Sequence, residues 1–212
     1  MTAAAKPDPL VFIVSGPSGS GKSTLVQKIL ELPGTMTSIS CTTRPRRATE
    51  AEKKCYDFVT EAQFDAMVAR GEFLEYARVF GKYFYGTPRK WLDESRSCGL
   101  DLILEIDVQG AAQVKEKLPE SVAIFILPPS HEELERRLRG RGQDSDEEIA
   151  RRLAKARDEI LAFSKYYDFC VVNESVDRAG REAQAIVTAL RCASVRRRPQ
   201  VEQLLASFGG RD

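Results

Sequence analysis

A chain of 212 residues, 42% hydrophobic and 30% charged, can bury a full core yet is short for two independent domains. A formal net charge of +1 excludes a whole-chain pull toward nucleic acid or membrane, so charge has to act locally and neither partner is expected. Five scattered cysteines, odd in number and never spaced C-x-x-C, exclude a disulfide framework and a zinc ribbon, and no apolar run has membrane-spanning length. A reducing cytoplasm is the expected compartment, and Met1 to Pro9 reads as a loose tail.

The first predicted element is a buried strand, the apolar run Leu10-Val11-Phe12-Ile13-Val14, followed by helical periodicity from Ser23 to Leu32. Between them Gly16-Pro17-Ser18-Gly19-Ser20-Gly21-Lys22-Ser23 fits G-x-x-x-x-G-K-[ST] without a gap. Such a loop curls successive amides and the helix N-terminus around one anion. Lys22 is then expected on the β- and γ-phosphates of a nucleoside triphosphate, with the Ser23 hydroxyl on Mg²⁺.

From Thr35 to about Arg89 the strand-helix rhythm breaks into short alternating stretches, which predicts an inserted lobe. Ser40-Cys41-Thr42-Thr43-Arg44-Pro45-Arg46-Arg47 gathers three guanidiniums and three hydroxyls, with Tyr56 soon after. Forked arginine donors and neutral hydroxyls suit a phosphate dianion, so a second substrate is expected here.

Further strands are expected at Leu100 to Ile106, Val122 to Leu127 and Phe169 to Val172, each followed by a helix, and together they indicate a parallel sheet covered on both faces. Capping boxes at Thr60/Gln63, Ser130/Glu133 and Ser145/Glu148 mark three helix starts. Glu105 and Asp107 end an apolar strand at the sheet edge where ligands collect; they can orient Mg²⁺ and its waters, accept from a base, or cap the next helix. Arg139, Arg141 and Arg152 surround a Gly140/Gly142 loop, and arginines on a closing segment can stabilise charge on a transferred phosphoryl group. The lone histidine, His131, is expected to face solvent in a first helical turn. The run Arg196-Arg197-Arg198-Pro199 reads as a solvated helix end.

The ordered set Gly16 to Thr24, Thr42-Thr43-Arg44 with Arg47, Glu50 and Tyr56, Phe73-Leu74-Glu75, Tyr85-Gly86-Thr87, Glu105 to Ala111, and Arg139-Gly140-Arg141-Gly142 with Arg152 resembles the guanylate kinase family. The resemblance implies ATP-dependent phosphorylation of GMP, and of dGMP, with Mg²⁺, on a P-loop nucleoside monophosphate kinase fold: an α/β parallel-sheet core with helices on both faces, an inserted GMP-binding lobe and a mobile lid. It implies core segments 1–36, 93–137 and 163–212, the last with a C-terminal helix, a GMP lobe at 37–92 and a lid at 138–162. Gly16 through Thr24 would bind ATP, with Lys22, Arg141 and Arg152 catalytic and Asn173 on the adenine side. Glu75, Ser40 and Thr87 would hold guanine, and a carboxylate is the natural acceptor for its adjacent N1–H and 2-amino donors. Arg44, Arg47, Tyr56 and Tyr85 would hold the GMP phosphate. Glu105 and Asp107 belong to the site with metal and guanine roles undivided.

Two departures fall in the lobe: Lys53, where the family usually has a small residue, and one extra residue between Gly81 and Tyr85-Gly86-Thr87. The second leaves Tyr83 and Tyr85 competing for one phosphate role and predicts a bulge or widened turn at Lys82 to Phe84.

Overall fold

The computed structural model describes residues 8–46, 56–79, 81–140, 142, 145–161, 163 and 166–208. Arg47, Glu50, Lys53 and Arg141 lie outside them. The first strand, β1 (Val11–Ser15), is fully buried and leads through the glycine-rich loop into α1 (Lys22–Leu30). After β2 (Thr35–Thr37) come β3 (Ser40–Thr42), β4 (Tyr56–Phe58), α2 (Glu61–Ala69), β5 (Phe73–Val79), β6 (Tyr83–Pro88) and α3 (Lys90–Cys98). The remainder alternates: β7 (Asp101–Glu105), α4 (Val108–Lys117), β8 (Val122–Leu127), α5 (His131–Arg139), α6 (Asp146–Leu161), β9 (Phe169–Val172), α7 (Val176–Arg191) and α8 (Ser194–Ser207).

Five strands form a parallel sheet in the order β2-β7-β1-β8-β9. Alternation along β1 divides the core into two layers. Phe12 and Val14 pack with Leu25, Val26 and Ile29 of α1 and Ala179, Ala183 and Val187 of α7. Val11 and Ile13 face the other way, toward Leu92 of α3 and Ala111 and Val114 of α4. Each such buried side chain contributes about 1.5–3 kcal/mol, and a strand buried on both faces explains why the sequence is apolar without alternation.

The second sheet, in the order β4-β3-β6-β5, is mixed. Phe64 of α2 stacks between Phe73 and Phe84 on one of its faces. The β5–β6 pairing is continuous from Val79/Tyr83 to Glu75/Thr87, so of the bulge or widened turn expected at Lys82 to Phe84 it is the turn that the structure adopts. The extra residue is taken up in the turn, where Lys82 N–H donates to the Val79 carbonyl. The register shift lies at the other end, between Phe73 and Glu75. An extra residue there reverses alternation: Phe73 joins Tyr76 and Phe84 on the aromatic face, Leu74 enters the main core, and Glu75 stays on the face of Tyr85 and Thr87.

The capping boxes form unequally. Thr60 and Gln63 make both reciprocal hydrogen bonds. Ser130 and Ser145 accept from the Glu133 and Glu148 amides, but those two carboxylates turn to Arg136 and Arg137, and to Arg151 and Arg152. A guanidinium one turn along outcompetes a backbone amide for a carboxylate. The arginine run at 196–198 sits in the opening turns of α8, with Pro199 inside the helix, and not at a helix C-terminus; Arg196 donates to the Asp8 carbonyl instead. His131 is exposed in the first turn of α5.

At the sheet edge where β7 begins, Asp101 accepts from Leu10 N–H and from Arg191 Nε, both at 2.7 Å, and Arg191 also donates to the Pro33 and Gly34 carbonyls. Asp101 is buried and Arg191 is a quarter exposed. Arg191→Ala leaves this carboxylate uncompensated and is expected to lower unfolding free energy by about 2–4 kcal/mol. Urea denaturation reads the loss; turnover per folded molecule should be unchanged, because the pair lies at the end of the sheet away from the glycine-rich loop.

Candidate active site

The glycine-rich loop leaves the C-terminal end of β1 and reaches α1 with Gly16, Gly19 and Gly21 all at positive φ. Gly21 is the helix N-cap with φ 94°, and a Cβ there would lie 2.2 Å from Asn173 Nδ2. No side chain caps α1 and its first turn holds no acidic residue, so its leading amides and the positive end of its dipole face an open anion position. Lys22 Nζ donates to the Gly16 and Pro17 carbonyls at 2.6 and 3.0 Å, folded over the loop it is expected to serve. Ser23 Oγ donates to Glu105 Oε1 at 2.5 Å, which brings the hydroxyl and carboxylate expected near Mg²⁺ together.

Asn173 stands behind the loop. It is buried, its Nδ2 donates to the Ser20 carbonyl at 2.8 Å, and Arg137 donates to both the Ser20 and Asn173 carbonyls. The sequence does not single out Arg137; it pairs with Glu133 and is also a brace for the loop. The missed signal was position: Arg137 lies one turn from Leu134, whose side chain packs against Gly19.

On the second sheet, Glu75 is 4% exposed and accepts from Thr87 Oγ1 at 2.6 Å, while Thr87 and Ser40 hydroxyls lie 3.1 Å apart. The bulge before Glu75 and the alternation of β6 hold these three on one face. The Glu75 carboxylate abuts Gly110, where any Cβ would come within 2.5 Å of Oε2. Nearby, Arg44 Nε donates to the Tyr85 hydroxyl at 3.1 Å, and the Tyr56 and Tyr85 rings meet edge to face at 5.6 Å. Tyr83 lies against Lys82 at the hairpin end.

The two halves meet at the C-terminal edge of the parallel sheet. Asp107 caps α4, accepting from Gln109 and Gly110 amides at 3.0 Å each, and its other oxygen is 3.8 Å from Lys155 of α6. Arg152, one turn earlier on α6, donates to Ser18 Oγ at 3.0 Å. Among the described residues no cluster of three acidic, histidine or cysteine side chains is arranged to hold a metal. None of the described helices is long and apolar enough to cross a membrane.

Residues 8–190 match the protein family described as Guanylate kinase. The chain belongs to the guanylate kinase family. It is 50% identical over 196 residues to a guanylate kinase of Syntrophotalea carbinolica, covering 92% of each chain, and 46% identical over 205 residues to one of Myxococcus xanthus, covering 96% of this chain and 97% of that one. The crystal structure of guanylate kinase from Anaplasma phagocytophilum superimposes with a TM-score of 0.79 at 34% identity, covering 98% of this chain and 99% of that one. The P-loop kinase α/β fold expected from the sequence is therefore that of this guanylate kinase relative.

Burial pushes the Glu75 carboxyl up from its ordinary 4.5 to about 7, with Asp107 adding to the rise and Thr87 and Lys117 opposing it. Between pH 4.5 and about 7 the folded chain holds a proton there that the unfolded chain has lost. Stability contributed by this group is thus complete below 4.5 and falls as pH rises through that window, by on the order of 3 kcal/mol. Urea unfolding of ligand-free protein across this range should show the decline in wild type and a flatter profile in Glu75→Gln.

Proposed function

We infer that this site transfers the γ-phosphoryl group of ATP to GMP, and to dGMP, giving ADP and GDP. The observation that carries the acceptor assignment is Glu75, a buried carboxylate tied to Thr87 and Ser40 on the sheet opposite the phosphate loop. A desolvated carboxylate held by one hydroxyl retains acceptor capacity for the paired donors of guanine, and adenine offers no such pair. Arg44, Tyr56 and Tyr85 form the cluster for the GMP phosphate, and the same role is proposed for Arg47, which lies outside the described residues.

On the donor side the amides of Gly19 to Ser23 and the head of α1 hold the ATP phosphates, and Lys22 exchanges its two loop carbonyls for phosphate oxygens. Ser23 and Glu105 offer hard oxygen donors of the kind Mg²⁺ takes, and the lack of a closed carboxylate cage among the described residues suits an ion carried largely by phosphates and water. When bound, Mg²⁺ supplies charge neutralisation across the phosphates. Arg152 stabilises charge on the transferring group as α6 closes over the loop, and the same role is proposed for Arg141, which lies outside the described residues. No general base is assigned, because the acceptor phosphate is already an anion. We place the core at 1–36, 93–137 and 163–212, the GMP lobe at 37–92 and the lid at 138–162. The free thiols of Cys41, Cys98, Cys170 and Cys192 suit a reducing cytoplasm.

Coupled measurement of ADP formation with GMP, AMP, UMP and CMP tests the assignment; comparable kcat/KM for AMP would overturn it. Glu75→Gln sets an amide donor against guanine's donors, and its kcat/KM for GMP should drop by about 10²-fold or more.

The two tyrosines separate by a second measurement. Tyr85→Phe removes a hydrogen bond to a charged group, worth about 1.5–3 kcal/mol, and should raise KM for GMP by about 10- to 100-fold. Tyr83→Phe should leave KM within about twofold.

A further inference from the structure

One face of α6 carries Ile149, Arg152, Lys155, Ala156 and Glu159 at spacings of three and four residues, and Ile149, Ala156 and Glu159 are buried on it. Arg152 reaches the phosphate loop at Ser18. Lys155 lies between two carboxylates, 3.4 Å from Glu159 of its own helix and 3.8 Å from Asp107 at the head of α4. Glu159 is only 7% exposed. Burial disfavours its charge; Lys155 and Lys22 favour it, and Asp107 opposes it. The Lys155 ammonium therefore lies between a buried carboxylate on the helix that delivers Arg152 and a capping carboxylate on the element packed against Glu75, with Lys22 adding to the compensation of the first.

We propose that Lys155, acting with Glu159, is a positioning residue that fixes α6 against the head of α4 and thereby sets Arg152 on the phosphate loop. The proposal rests on the kinase reading for its kinetic consequence but not for its structural one. Without the Lys155 ammonium, Glu159 and Asp107 lose the cation that lies between them, and an outward swing of α6 relieves their repulsion. Arg152 leaves Ser18 in that movement. Lys155 itself needs no contact with either nucleotide, so its loss acts on the closed, reacting geometry more than on acceptor binding. The geometry also explains why the pair lies on one helix: at i,i+4 Glu159 holds the lysine stem in the rotamer that reaches Asp107.

The test compares full-length wild type with Lys155→Met, Lys155→Arg, Glu159→Gln and the double variant Lys155→Met/Glu159→Gln. Lys155→Met should lower kcat with GMP and Mg-ATP by about tenfold or more while KM for GMP stays within about threefold. Lys155→Arg, which keeps the cation, should recover most of the loss. The double variant should exceed Lys155→Met in kcat, because the uncompensated buried charge is gone. In ligand-free protein, amide hydrogen exchange over 146–161 should quicken by about tenfold in Lys155→Met and return toward wild type in Lys155→Arg. Unchanged kcat with unchanged exchange overturns the proposal, as does a double variant no better than Lys155→Met. Should wild type fail to phosphorylate GMP, the kinase reading falls while the exchange comparison still decides the role of Lys155.

Discussion

Because β1 lies between β7 and β8 in a parallel sheet, the loop leaving its C-terminal end emerges beside the C-terminal ends of both neighbours. Everything that acts in this protein hangs on that adjacency. The pairing Val14↔Glu105 sets the last residue of β7 level with the entrance to the glycine-rich loop, and Glu105 consequently meets Ser23 at the head of α1. Two residues on, Asp107 caps α4 and its first turn supplies Gly110 as the floor under Glu75. A reversal of strand order at this point leaves a crevice between loops that no side chain of the sheet can fill. The glycine-rich loop and Glu75 thus meet at one edge while standing on different sheets.

The loop itself is over-determined from behind. Asn173 and Arg137 bind the Ser20 carbonyl, Leu134 and Leu138 close on Gly19, and Ile126 lies under Gly16. A phosphate cradle with its amides already aimed loses little reorganisation energy when the anion arrives. The arginine-bearing helix is attached differently. Helices α5 and α6 pack on each other through Leu134, Leu138, Ile149, Leu153 and Ala156, a small core separate from those flanking the sheet. α6 is held to the loop and to α4 by charged contacts at Arg152 and Lys155. Since α5 is fixed to the loop by Arg137, Leu134 and Leu138, α6 is the element whose attachments beyond that seam are polar, and it can swing about the seam.

Much of this was legible in the sequence because it is written in local chemistry. An apolar run without alternation specified a strand buried on both faces, and the P-loop pattern specified strand, turn and helix together. Thr60 with Gln63 specified a helix start, and Gln63, a neutral amide with no charge for a guanidinium to claim, stays on its own cap. The Ser130 and Ser145 boxes were half legible: the serines cap, but the glutamates respond to guanidiniums that a four-residue pattern does not include. The β5–β6 hairpin was half legible too. Counting residues between Gly81 and Tyr85 located an insertion that a bulge or a widened turn could absorb, and the turn absorbed it; the register shift at the start of β5, where Leu74 is buried in the main core, has no signal in that count. Arg137, Lys155 and Glu159 were illegible because their meaning comes from packing across elements, with partners such as Ser20 and Asp107 far off in sequence.

On the proposed function, Glu75 shows what an acceptor site gains from a bulge and a glycine. A carboxylate exposed to water discriminates weakly, since water replaces any donor a wrong base fails to offer. Buried against Gly110 with a single hydroxyl donor, it is costly as an anion and cheap as an acid, which is the meaning of its raised pKa. A ligand presenting two adjacent N–H groups reverses that balance by satisfying the anion where water cannot. On the function proposed above, the cost of burying this carboxylate would be the source of selectivity for such a ligand. The bulge at Leu74 keeps Glu75 on the face of Thr87 while Phe73 anchors the strand from the opposite side, so the charge is held in place by packing that does not depend on the ligand.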